Sequence, residues 1–180
     1  MVSNENLDAE ILQDILAGRK ERFSELVERL GPLSYYFFYQ RSGKNAEVAR
    51  DLVQEAFLRA YEHLPSFKPN ASFKAWFMGI CRNLLSHFLR RRSLETTVAQ
   101  SHCIIEPLVD FETDIVKKHL IQKVLSVLPE SQRDVVELKF FFHLSCKEIS
   151  SLLDLPLGTV KSHLYQSRLR LLEVLEEESA

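Results

Sequence analysis

Along most of this chain the apolar residues recur three and four positions apart, the spacing of helices that bury one face. Leu7, Ile11, Leu12 and Ile15 form one such series, and Phe23, Leu26, Val27 and Leu30 form a second, with Gly18 between them. Gly31-Pro32 is expected to stop the second helix, because proline lacks an amide donor and clashes with the preceding turn. The aromatic-rich segment that follows, Tyr35, Tyr36, Phe37, Phe38 and Tyr39, reads as a further buried helix, since a run this apolar is usually core. Helical spacing resumes at Val48, Leu52, Val53, Ala56, Phe57 and Ala60, ends near Leu64-Pro65, and restarts over residues 73–92. No strand pattern interrupts this half, so the expected fold class is all-α.

Periodicity is lost over residues 93–112, which collect Ser, Thr, Gln and Pro107 and read as a flexible linker. A second helical block begins near residue 113. A length of 180 residues allows one domain or two small ones. The economical reading is a helical domain at 1–92, a linker at 93–112 and a second helical domain at 113–180. Hydrophobic residues at 46% and charged residues at 27% supply enough apolar material for two cores. Cys81, Cys103 and Cys146 stand far apart with no CxxC pair, which argues against a disulfide framework and a zinc site. The N-terminus lacks the basic start and apolar run of a signal peptide, and no apolar stretch approaches the ~20 residues of a membrane span. A protein of the reducing cytoplasm, without membrane insertion, is expected.

The formal charge is −2, from 23 Lys+Arg against 25 Asp+Glu, so bulk charge does not point to nucleic acid. The distribution of charge does. Residues 66–92 carry six basic side chains, Lys68, Lys74, Arg82, Arg90, Arg91 and Arg92, and no Asp or Glu. Phe67, Phe73, Trp76, Phe77 and Phe88 are interleaved with them. Cations for phosphates and aromatic faces for unstacked bases are what single-stranded nucleic acid requires. The same residues also suit a helical core with a solvated basic end, where cations favour the helix dipole. Upstream, Glu47, Asp51, Glu55 and Glu62 recur near multiples of four and form an acidic stripe. Such a stripe is either a solvated face or, together with Gln54, a dock for a basic protein partner.

In the second block, Val124, Leu125 and Leu128 end at Pro129, which suits the first turn of a helix with Val135, Leu138 and Phe142 on its apolar face. Ser145-Cys146-Lys147-Glu148 has the form of a capping box opening a short helix whose inner face is Ile149, Leu152 and Leu153. Residues 154–158 break it. A second helix from Thr159 is expected to bury Val160, Leu164, Leu171 and Val174, with Ser167 as a small residue in the same register. Lys161, Ser162, His163, Gln166 and Arg168 then point outward, and residues 155–172 contain no acid. An acid-free outer face suits a helix entering a phosphate-lined major groove. Gln and Arg can also make bidentate contacts to A and G.

Taken in order, these segments resemble a known family. Asp51-Leu52-Val53-Gln54-Glu55-Ala56-Phe57-Leu58-Arg59-Ala60-Tyr61, then Ala75-Trp76-Phe77 and Ile80-Cys81-Arg82-Asn83-Leu84 through Arg90-Arg91-Arg92, resemble region two of bacterial sigma factors of the extracytoplasmic-function (ECF) group. Leu128-Pro129-Glu130-Ser131-Gln132-Arg133, with residues 144–168, resembles their region four. The resemblance implies a protein that binds core RNA polymerase, directs it to promoters and helps open the DNA. It places core-polymerase contacts on Asp51, Gln54 and Glu55. Minus-ten contacts fall on Phe67, Lys68, Asn70, Ser72 and Phe73 of a base-capturing loop, and on Trp76, Arg82, Asn83 and Arg90 of the following helix. Pro156, Gly158, Thr159, Lys161, Ser162, His163, Gln166 and Arg168 match the reader of the minus-thirty-five element. His163 and Gln166 stand where many members have Arg, which implies weaker phosphate contacts or a different preference. An anti-sigma factor is implied as a partner.

No Gly-rich phosphate loop, paired metal ligands or nucleophile-and-base arrangement is found, so no enzyme activity, cofactor or metal is expected. The competing reading is a free-standing helix-turn-helix regulator with an N-terminal sensor or dimerisation domain. The acid-free aromatic segment separates the two, because a duplex-binding repressor needs no platform for unpaired bases.

Overall fold

The computed structural model describes residues 4–68, 72–95, 125 and 127–179. Among the described residues there are seven α-helices and no strand. The chain divides into two compact units, Met1–Val109 and Asp110–Ala180. The expected linker lies outside the described residues from position 96 onward.

In the first unit α1 spans Asn4–Leu16, α2 Phe23–Arg41, α3 Ala46–His63 and α4 Phe73–Glu95, with single 3-10 turns at Lys20–Arg22 and Leu64–Ser66. Helix α3 packs between α2 and α4, and α1 lies against α2. Ala49, Ala56 and Ala60 have no exposed surface and put the smallest side chains where α3 meets its neighbours. The larger volume comes from Ile11, Leu26, Leu30, Phe38, Phe77 and Met78, all essentially inaccessible. Each such side chain contributes roughly 1.5–3 kcal/mol by leaving water.

Gly31-Pro32 does not stop a helix. Helix α2 continues through Pro32 to Arg41. Proline inside a helix costs ~3 kcal/mol, but Pro32 is exposed and the carbonyl it leaves unpaired belongs to the exposed Glu28. Water can serve that carbonyl, while Leu26 and Leu30 before the proline and Phe37, Phe38 and Tyr39 after it are buried in one core. Tertiary burial on both sides outweighs the local break.

The α2–α3 corner needs a left-handed backbone at Gly43 (φ 78°) and Lys44 (φ 59°). Asn45 then caps α3, its side-chain oxygen accepting from the amides of Glu47 at 3.0 Å and Val48 at 3.1 Å. From the far end of α4, Arg92 donates to the Ser42 carbonyl at 2.9 Å, and a Cβ on Gly43 would lie 3.2 Å from its guanidinium. At the α1–α2 corner Arg22 binds both Asp14 and Glu25, the latter at 2.6 and 2.9 Å.

In the second unit α5 spans Glu130–Phe140, α6 Cys146–Leu153 and α7 Leu157–Ser179. Arg133 ties α5 to the chain before it, donating to the carbonyls of Leu125 at 2.9 Å and Leu128 at 3.1 Å. The capping box forms as expected, with Ser145 accepting from the Glu148 amide and Glu148 accepting from the Ser145 amide. Asp154 closes α6 in the left-handed region. Helix α7 begins at Leu157, two residues earlier than expected. Among the side chains described in α7, Val160 and Ser167, two turns apart, are buried, whereas Leu164, Leu171 and Val174 are half-buried. Helices α5 and α6 both pack on α7, and the contact is close enough at position 167 for a serine to fill it.

Candidate nucleic-acid interface

The acidic stripe is a real surface. Glu47, Asp51, Gln54 and Glu62 are exposed on α3, and Glu55 is half-buried through its 2.7 Å bond to Arg59. Leu58 is 54% exposed on the same helix, so a carboxylate-rich face with an apolar member is open to a partner.

The acid-free segment divides on folding. Phe67, Phe73 and Trp76 form one aromatic cluster, with ring centroids 5.2–5.7 Å apart. Phe73 also lies against Phe77, which packs against Phe57. Phe67 and Phe73 are 6% and 3% exposed, so their faces are occupied by protein and cannot stack on a base in this conformation. Trp76 is half-buried and retains accessible surface. Of the five aromatics interleaved in this segment, Phe67, Phe73 and Phe77 are therefore corrected to core residues, whereas Trp76 and Phe88 keep accessible surface.

The cations divide too. Lys74 is 9% exposed and faces Asp8 at 3.8 Å, and Asp8 meets Arg29 at 3.1 Å. Lys74 and Arg92 thus serve the fold rather than a phosphate. Lys68, Arg90 and Arg91 are exposed, as is Asn83, and Arg82 is half-buried. Ser72 caps α4, its hydroxyl accepting from the Ala75 amide at 3.3 Å. Asn70 lies outside the described residues.

On the second unit the connection between α6 and α7 is held by Ser150, whose hydroxyl donates to the Leu155 carbonyl at 2.6 Å while its own carbonyl accepts from the Leu155 amide at 3.0 Å. That turn presents Pro156 and Gly158 to solvent, followed on α7 by exposed Lys161, Ser162, Gln166 and Arg168. Thr159 is half-buried. His163, expected to point outward, is half-buried, with its Nδ1 turned into the protein and lacking a partner among the described residues. Two contributors escaped sequence reasoning. Gln132 on α5 is 6% exposed and bridges α7, donating to Gln166 at 2.9 Å and accepting from Arg170 at 2.8 Å. No local pattern reveals the bridge, because it joins positions 34 and 38 apart.

Residues 26–95 match the family Sigma-70 region 2, and residues 118–171 match Sigma-70, region 4. The ECF RNA polymerase sigma-E factor of Escherichia coli (strain K12) is 30% identical over 131 residues, covering 66% of this chain and 69% of that protein. The chain belongs to the ECF group of the sigma-70 family. The ECF RNA polymerase sigma factor SigW of Bacillus subtilis (strain 168) is 29% identical over 170 residues, covering 87% of this sigma factor and 90% of SigW. Among solved structures, the sigma factor RpoE in complex with the anti-sigma factor NepR from Bartonella quintana superposes with a TM-score of 0.67 at 27% identity, over 87% of this chain and 98% of that one. The family's two regions fall one on each compact unit. Among the described residues no helix is long and apolar enough to cross a membrane.

Proposed function

We propose that this sigma factor docks on core RNA polymerase through the acidic face of α3 and holds an opened minus-ten element against the start of α4. The outward face of α7 reads the minus-thirty-five element. The observation that carries this is the segregation of exposed charge: carboxylates dominate one face of α3, while Lys68, Arg90 and Arg91 in the first unit and Lys161 and Arg168 in the second are exposed to solvent. Asp51, Gln54 and Glu55 are the docking residues. In the upstream reader, Pro156, Gly158 and Thr159 bring the start of α7 to the backbone, and Ser162, His163 and Gln166 approach base edges. Trp76 is the stacking platform, with Arg82 and Asn83 further along α4. Stacking contributes ~1–3 kcal/mol per base, comparable to the cost of unstacking one.

The protein supplies no catalysis of its own, acts in the cytoplasm where the chromosome lies, and is restrained by an anti-sigma factor, as the Bartonella quintana relative is bound by one. A free-standing helix-turn-helix regulator would leave the region-two match of residues 26–95 without a task. Run-off transcription with purified core polymerase on a promoter library tests the reading. The double variant Asp51→Lys, Glu55→Lys is expected to lose association with core polymerase while keeping its helical circular dichroism, since Asp51 is exposed and the Glu55–Arg59 bond is a surface ion pair, which contributes little to stability. Co-purification of that variant with core polymerase at the wild-type level would remove α3 as the docking surface.

A further inference from the structure

The amide of Gln166 is not free to present either face to DNA. It is the outer end of a relay that begins at Arg170 and passes through Gln132. The guanidinium donates to Gln132 Oε1 at 2.8 Å, and Gln132 Nε2 donates to Gln166 Oε1 at 2.9 Å. The direction of both bonds follows from chemistry. An arginine has only donors, so the Gln132 oxygen must face it. The amino group of Gln132 is then what remains for Gln166, and that group in turn selects the Gln166 oxygen. Gln132, the middle member, is 6% exposed, so its amide has little access to water and its bonds go to these two side chains. The Gln166 carbonyl is drawn toward α5, and its amino group, with two N–H donors, is left at the exposed surface of α7.

We infer that Gln132, which itself need not touch DNA, is a positioning residue for promoter specificity: it holds Gln166 so that the amino group faces the groove and selects bases whose groove edge carries acceptors and no donor. This rests on the reading of Gln166 as a base contact. In the major groove guanine offers only acceptors, N7 and O6, and thymine offers O4, whereas adenine sets an N6 donor beside its N7 acceptor and cytosine offers the N4 donor. A glutamine with both groups free pairs best with adenine. A glutamine tethered by its oxygen donates to guanine or thymine without facing a neighbouring donor, and so favours them over adenine and cytosine on the contacted strand.

The substitution Gln132→Glu reverses the relay. A carboxylate still accepts from Arg170 but cannot donate, so it accepts from the Gln166 amino group and turns the Gln166 carbonyl outward. The experiment is run-off transcription by the full chain with core polymerase on all single-base variants of the upstream element, for wild type, Gln132→Glu, Arg170→Met and Gln166→Ala. In the wild type, one position is expected to favour one base class over the other by about fivefold, the scale of a single hydrogen bond. Gln166→Ala flattens that position. Gln132→Glu exchanges the preferred class, from acceptor to donor bases on the contacted strand. Arg170→Met removes the group that sets the direction and narrows the preference. It also keeps the test decisive if Gln132→Glu does not fold.

A position that Gln166→Ala flattens but that neither Gln132→Glu nor Arg170→Met alters would overturn the relay and leave the base contact standing. A profile unchanged in Gln166→Ala would overturn both. A uniform loss of activity with an unaltered preference in Gln132→Glu would reduce Gln132 to a structural role.

Discussion

Phe73 and Trp76 lie three residues apart in the same acid-free segment, yet the fold gives them different work. The Phe73 ring is packed against Phe67, Trp76 and Phe77 with 3% of the residue exposed, while Trp76 keeps a surface open to solvent. Phe73→Ala is therefore expected to cost ~3–5 kcal/mol of folding stability, read as a shifted urea midpoint. Trp76→Ala should cost less stability and lower open-complex formation more than closed-complex binding. Permanganate footprinting on a promoter that both proteins bind checks the second half. Equal strand opening by a folded Trp76→Ala protein would mean that no aromatic of this cluster stacks on DNA. Lys74 and Arg92 carry the same lesson for charge. Each looks like a phosphate ligand in one dimension, and each is engaged by a group far away in sequence, Asp8 and the Ser42 carbonyl respectively.

Among the elements, the corner between α1 and α2 is set by charge. Hydrogen bonds from Arg19 and Arg22 hold the Asp14 carboxyl below its ordinary range, and the bond from Arg22 does the same for Glu25. A carboxyl whose folded value is depressed contributes stability that is present above its unfolded pKa, near 4, and is lost as pH falls through the folded value. The urea midpoint of the protein is accordingly expected to fall as pH is lowered below about 4. Arg22→Gln should flatten that fall, because both carboxyls lose a donor. An identical acid slope in the variant would assign the loss to other carboxylates. Helix α2 itself shows the opposite balance of local and distant forces. The Gly31-Pro32 pair is a strong stop signal by propensity, and it is overridden because Leu26 and Leu30 on one side and Phe37 and Phe38 on the other reach one core only if the helix continues.

At the level of the whole molecule, each unit closes its own hydrophobic core: Leu26, Phe38, Phe77 and Met78 in one, Val135, Phe142, Leu144, Ile149 and Val160 in the other. Residues 1–95 and 113–180 expressed separately are expected to show helical circular dichroism and a cooperative melt each. Mixed in trans, they should support far less promoter-specific transcription than the intact chain, since joining two readers converts the second contact into an intramolecular one. A fragment that remains unfolded alone would show that its core is not self-sufficient. Equal transcription from the mixture would show that the covalent link adds nothing to promoter recognition.

What the sequence by itself determined was everything that repeats or caps within a few residues: the helical class, the acidic stripe of α3, the Ser145–Glu148 capping box, and the exposed Lys161, Ser162, Gln166 and Arg168 of α7. Those features depend on a period of 3.6 residues and on neighbours three or four positions away, so they are written locally. The tertiary structure alone decided which members of an apt-looking set are free. It buried Phe67, Phe73 and Lys74, carried α2 through Pro32, and joined Gln132 to Gln166 and Arg170 across 34 and 38 residues. The physical reason is the same in each case. Burial and hydrogen-bond satisfaction are summed over everything that packs together, and no window on the chain contains that sum.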